Sequence, residues 1–143
     1  MGPKLVEYLK YEVEDSGICW ITFNRPERRN ALMGNSQENS TVAKVGEYMR
    51  AADDDPAVKV TVLTGEGQGF CSGADMRRDN DPSVLGENFV GNRDHTESPD
   101  FVRQHFFHGF TQLHRDISLV RKPTIAMING AAVGSGMDMA LHC

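Results

Sequence analysis

The stretch Thr124-Ile125-Ala126-Met127-Ile128-Asn129-Gly130-Ala131-Ala132-Val133-Gly134-Ser135-Gly136-Met137-Asp138 decides how this chain is read. A β-rich run passes into small residues and then into a helix expected to open near Ser135, with the Asp138 carboxylate one helical turn inside. Small residues let a ligand approach the backbone closely. The first N–H groups of a helix have no internal acceptor and can point at an anion. Such a strand-to-helix turn can hold an oxyanion.

A second glycine-punctuated turn lies upstream, Thr64-Gly65-Glu66-Gly67-Gln68-Gly69-Phe70-Cys71-Ser72-Gly73-Ala74-Asp75-Met76, entered from the strand-like Val58 to Leu63. Before it, Leu5 to Val13 alternates in part, with Leu9, Tyr11 and Val13 on one face. Asp15-Ser16-Gly17 then separates it from Ile18 to Phe23, which predicts a β-hairpin. Ser36 to Asp53 carries Val42, Val45, Met49 and Ala52 at helical spacing, and Asp53-Asp54-Asp55-Pro56 breaks that pattern. Strands joined by such a crossover are expected to be parallel. Phe101 to Val120 repeats the helical period through Phe106, Phe110, Leu113, Ile117 and Val120, and Lys122-Pro123 ends it before the strand Thr124 to Ile128. Between the two halves, Arg77 to Pro99 is rich in Asn, Asp, Gly, Ser and Pro without a period and is expected to be a long mobile loop. The architecture is α/β, and the same strand-and-helix theme recurs without a sequence repeat.

The chain has 143 residues, 39% of them hydrophobic and 24% charged, the composition of one soluble globular domain. A net charge of −5 without a Lys/Arg block argues against nucleic acid or a membrane surface as partner. Three cysteines, Cys19, Cys71 and Cys143, without paired metal spacing, and the lack of a signal-like apolar N-terminus, fit a reducing cytoplasm. His105 and His108 stand three apart but lack further ligands, so no metal is expected. Gly65-x-Gly67-x-Gly69 departs from the dinucleotide fingerprint, which argues against NAD. Cys71 has no evident adjacent base and reads as a packed small residue.

The two glycine-rich turns, with Ile21-Thr22-Phe23-Asn24-Arg25-Pro26-Glu27-Arg28-Arg29-Asn30-Ala31-Leu32, resemble in order the crotonase superfamily, the enoyl-CoA hydratase/isomerase family. The resemblance runs from about Val6 to Cys143. It implies a superhelix of ββα turns, with residues 1–143 as the N-terminal part of a single domain. The chain stops within a helix, before the later turns and the C-terminal helical region that family members use in assembly as homotrimers or hexamers. It also implies the acyl-CoA chemistry of fatty acid metabolism, with no cofactor besides the coenzyme A of the substrate.

By motif position, the resemblance makes the N–H groups of Ala74 and Ser135 the two donors to the thioester oxygen. Charge collects on that oxygen as an enolate forms, and one fixed donor can contribute roughly 10²–10³ in rate. Most family members have glycine where Ser135 stands, so a hydroxymethyl group is added beside the thioester while the N–H is kept. Arg28, Arg29, Ala31, Ser72, Ala74, Asp75, Met76, Val133 and Gly134 are implied to line the CoA and acyl site, and the planar fork of arginine suits phosphate.

Asp138 is the implied general acid/base, on the same helical face as the Ser135 donor. Family hydratases commonly carry glutamate here, whereas aspartate occurs in members that isomerise dienoyl thioesters. Its reach is shorter by roughly 1.5 Å, so isomerisation stands beside hydration. A second carboxylate would lie beyond Cys143. Ser135-x-x-Asp138 equally matches a capping box, in which the acid would take up the serine N–H. Two further readings stay open. A serine hydrolase would need glycine where Val133 stands, and a CoA-binding or assembly module would keep the fold without the chemistry.

Overall fold

The computed structural model describes residues 8–33, 40–75 and 107–143. Met76, the Arg77 to Pro99 loop, His105 and Phe106 lie outside the described residues, as does the side chain of His108. Among the described residues, two strands and a helix occur three times: β1 (Leu9–Val13), β2 (Ile18–Phe23) and α1 (Thr41–Asp54); β3 (Val60–Gly65), β4 (Gly69–Cys71) and α2 (Gln112–Ser118); β5 (Thr124–Ala126), β6 (Ala131–Ala132) and α3 (Ser135–His142). A π-turn over Phe107–Thr111 leads into α2.

The first sheet has the order β1-β2-β3-β5. β1 and β2 form the expected antiparallel hairpin, and β2, β3 and β5 run parallel, with Ile21 opposite Leu63 and Leu63 opposite Ala126. Cys19, Ile21 and Phe23 alternate inward along β2. Along β1 the expected face fades towards solvent: Leu9 is buried, Tyr11 half-buried and Val13 exposed. β4 and β6 form a second, parallel pair that the sequence patterning did not reveal. Strands of two and three residues are too short for an alternation to register.

α1 starts five residues later than the apolar spacing suggested. Ser40 is the N-cap, its hydroxyl accepting the Ala43 N–H at 2.9 Å, and this satisfies one of the donors that a helix start leaves open. All four residues of its expected stripe, Val42, Val45, Met49 and Ala52, are buried. From α2, Leu113 and Ile117 are buried, with Phe110 and Val120 packed at the edge of the same core. β3 opens at Val60 rather than Val58, because the Val58 N–H closes a turn onto Asp55 O at 3.0 Å. β5 ends at Ala126 rather than Ile128. Past it, Thr64 Oγ1 donates to Met127 O at 2.9 Å, a side chain taking over from the ladder.

The core continues beneath the turns that leave the sheet. Phe23 and Phe70 meet edge to face with ring centres 5.6 Å apart, tying β2 to β4. Met139 of α3 is fully buried in the same cluster. The third unit also turns apolar side chains outward: Ile125, Met127, Ile128, Val133, Met137 and Leu141 are 45–72% exposed. Among the described residues, no helix is long and apolar enough to cross a membrane.

Candidate active site

The segment from Cys71 to Asp75 leaves β4 between two neighbours. On one side lies the loop after β2. It begins with a short 3₁₀ turn, Pro26–Arg28, in which proline occupies the first turn where its missing N–H costs nothing. Arg29 and Asn30 follow with φ of 52° and 57°, the left-handed region that asparagine tolerates well and arginine seldom visits. The loop then pairs with the segment. Ser72 N–H donates to Arg29 O at 3.0 Å, Leu32 N–H to Gly73 O at 2.8 Å, and Asp75 N–H to Leu32 O at 2.9 Å. These bonds form a parallel bridge between Leu32 and Ala74.

On the other side lies the run from β6 into α3. Val133 N–H donates to Cys71 O at 2.9 Å. Gly73 has a φ of +83°, and a Cβ there would stand 2.7 Å from Val133 O and 3.4 Å from Ser135 N. Gly136 packs so closely that a Cβ would collide with the Cys71 carbonyl oxygen. Glycine at these two positions is what lets the turns touch. Ala74 N is one residue on from Gly73, so the nitrogens of Ala74 and Ser135 lie within about 7 Å of each other.

Neither nitrogen donates to any acceptor among the described residues. In a trans peptide the C=O and N–H point in opposite directions. The bond from Leu32 N–H to Gly73 O therefore aims the Ala74 N–H away from the loop. Ser135 is the first residue of α3, where N–H groups have no intrahelical acceptor. Gly134, not Ser135, is the N-cap of α3, and among the described residues the Ser135 N–H does not donate to the Asp138 carboxylate as a capping box would require.

A cleft of about 360 Å³ opens beside this junction, lined by Glu27, Arg28, Arg29, Ala31, Ser72, Ala74 and Asp75. The structure thus gathers six residues that the motifs implied, and adds Glu27. Val133, Gly134, Ser135 and Asp138 lie outside that lining, on the adjoining turn and the start of α3. Asp75 borders the cleft although its side chain is only 4% exposed and accepts from Arg25 Nη1 at 2.7 Å. Arg25 had no role in the sequence reading. Its partner lies fifty positions away, a separation that leaves no spacing signal.

Asp138 is exposed on the first turn of α3. Its charge acts on His114 of α2, whose ring meets that of His142 edge to face with centres 4.8 Å apart. Burial holds the His114 pKa below the usual imidazole value, the neighbouring His142 adds to this, and Asp138 opposes it. Burial pushes the Cys71 thiol up to about 11, against the bond it accepts from Gly73 N–H, which keeps it protonated and poorly nucleophilic. Among the described residues, no group of three or more His, Cys, Asp or Glu side chains could hold a metal ion.

Residues 13–143 match the family model for enoyl-CoA hydratase/isomerase. The chain is 35% identical over 127 residues to probable enoyl-CoA hydratase echA6 of Mycobacterium leprae, covering 89% of this chain and 42% of that protein. It is 39% identical over 127 residues to probable enoyl-CoA hydratase EchA14 of Mycobacterium tuberculosis, covering 89% of this chain and 41% of that one. A solved structure, a probable enoyl-CoA hydratase from Mycobacterium smegmatis, superimposes with a TM-score of 0.73 at 26% identity, covering 95% of this chain and 46% of that chain. The chain therefore spans about two fifths of the length of these curated relatives.

Proposed function

The chain belongs to the enoyl-CoA hydratase/isomerase family, and from that premise we propose that the complete protein acts on an acyl-CoA thioester whose carbonyl oxygen is received by the N–H groups of Ala74 and Ser135. The observation that carries this reading is that two turns in contact each present a backbone N–H without an acceptor among the described residues, beside a cleft bearing Arg28 and Arg29. In hydration, water adds across the enoyl double bond, its oxygen to C3 and a proton to C2. The intermediate carries enolate charge on the thioester oxygen, where fixed donors in a water-poor site are most effective. Arg28 and Arg29 supply cationic forks for the phosphates of coenzyme A. Val133 and Gly134 border the acyl end. The reaction requires no cofactor beyond the coenzyme A of the substrate.

Asp138 is the proposed acid/base group, completed by a second carboxylate from the part of the protein that follows Cys143. Its short side chain supports isomerisation as a second reading, in which a proton leaves one carbon of the acyl chain and returns to another. We assign the complete protein to the cytoplasm as a homotrimer or hexamer.

A panel of 2-enoyl- and dienoyl-CoA thioesters offered to the complete protein tests the proposal. Hydration appears as loss of the conjugated thioester absorbance with a gain of one water in product mass, and isomerisation as a moved double bond at constant mass. Tight binding of every thioester without turnover would replace the enzyme with a CoA-binding module. Absence of both would end the acyl-CoA reading.

A further inference from the structure

Arg25 is a charged residue only 7% exposed, placed between the end of β2 and the 3₁₀ turn. Its Nη1 donates to Asp75 Oδ2 at 2.7 Å and to Ala31 O at 3.3 Å. The guanidinium also lies over the Tyr8 ring, 5.3 Å from its centre, with Nε 3.9 Å from the exposed Glu27 carboxylate. Its backbone N–H donates to the buried Asn30 Oδ1 at 2.9 Å. The side chain is thus tethered on several sides and cannot swing into the cleft to meet a ligand.

Its two short contacts fall on the two strands of one bridge. Ala31 precedes Leu32, and Asp75 follows Ala74. Between them the Leu32 N–H to Gly73 O bond orients the peptide that carries the Ala74 N–H. The guanidinium closes this bridge from outside. Were it lost, the loop and the turn would be joined, among the described residues, by backbone bonds and by the Asn30 amide upstream of the bridge, and a small slip at the bridge would re-aim the Ala74 N–H. Breaking such a pair one partner at a time also leaves a buried charge uncompensated.

We propose that Arg25, acting through Asp75 and the Ala31 carbonyl, is a positioning residue that aims the Ala74 N–H at the thioester oxygen. The inference rests on the reading of Ala74 as a donor. It assigns Arg25 no contact with substrate.

The test uses the complete protein and crotonyl-CoA labelled with carbon-13 at the thioester carbonyl. Difference infrared spectra report how far binding lowers the carbonyl stretch, a direct measure of polarisation by the donors. The variant is R25M/D75L, which removes both charges together, so neither is left buried without the other. The expected result is a carbonyl band returned towards its solution frequency, with kcat down by about 10–100-fold and KM within about threefold of the wild type. If the double variant does not fold, Arg25→Lys replaces it. That variant keeps a cation for Asp75 but loses the rigid planar group that holds Nη1 between Asp75 Oδ2 and Ala31 O, and the same band shift and kcat loss are expected. A variant that loses thermal stability yet keeps the wild-type band and kcat overturns the proposal, leaving Arg25 a structural residue only. A wild-type protein whose bound thioester absorbs at the solution frequency overturns the donor assignment itself, and this inference with it.

Discussion

Asn30 and Asn129 spend their side-chain amides on carbonyls of one turn. Asn30 Nδ2 donates to Glu66 O at 3.0 Å and to Gly69 O at 2.8 Å, and Asn129 Nδ2 donates to Gly65 O at 2.7 Å and to Gly67 O at 2.9 Å. These carbonyls lie at the end of β3, in the turn and at the start of β4, and two asparagines from flanking elements supply their donors. The same turn leads directly to the segment that carries Ala74.

The two contributions differ by burial. Asn30 is 1% exposed and Asn129 is on the surface. Asn30→Ala is expected to cost about 2–3 kcal/mol, because it strips two part-buried carbonyls of a donor and the buried Arg25 N–H of its acceptor, and Asn129→Ala about 1 kcal/mol. Asn30 also sits at a φ of +57°, so Asn30→Gly, losing the same bonds, should be less harmful than Asn30→Ala by up to about 1–2 kcal/mol. Urea unfolding of the four proteins checks the order. Equal losses at both sites would show that the clamp is not graded by burial.

The Ser135 assignment concerns a backbone group, which a pair of substitutions isolates. Ser135→Gly keeps the N–H and should preserve most of kcat. Ser135→Pro removes it at the first helical position, where proline is well tolerated, and should lower kcat by about 10²–10³. Circular dichroism and kcat on the complete protein separate folding from catalysis. Similar, small effects from both would count against a donor at Ser135.

Asp138→Asn keeps the shape of the side chain and removes its base. As the acid/base group, it should lose about 10²–10⁴ in kcat with acyl-CoA affinity nearly intact. If Asp138 acts only as a counter-charge to His114, turnover would stay at the wild-type level and only the pH dependence of stability would change.

His114 gives that pH dependence a sign. Its Nε2 is buried without a hydrogen-bond partner among the described residues, and burial and His142 hold its folded pKa below 6.5. The unfolded chain therefore takes up a proton first as pH falls. Stability is full above about 6.5, declines as pH drops from there to the folded value, and is constant below it. His114→Phe keeps an aromatic ring against His142 and should flatten this slope. Denaturant midpoints from about pH 5 to about pH 8 read it out, and an unchanged slope in the variant would place the titration elsewhere.

Much of this architecture can be read from residue types. The Val42, Val45, Met49, Ala52 stripe and the break at Asp53 to Pro56 locate α1 and its buried face, and the small-residue run ending at Gly134 places the start of α3 at Ser135. Arg28, Arg29, Ala31, Ser72, Ala74 and Asp75, which the motif resemblance names, line one opening. What escaped was long-range and made of single residues. The pairing of β4 with β6 involves too few residues for a period, and the bond from Arg25 to Asp75 joins positions related only by the fold. The meeting of His114 with His142 depends on how α2 packs against α3, which neither helix encodes alone.

Whether Ala74 and Ser135 receive one oxygen is decided by a crystal structure of the complete protein with bound acetoacetyl-CoA. The thioester oxygen is expected about 2.7–3.1 Å from both backbone nitrogens, with the coenzyme A phosphates on the side of Arg28 and Arg29. A thioester oxygen bonded to neither nitrogen, with both N–H groups facing solvent or other protein acceptors, would contradict it.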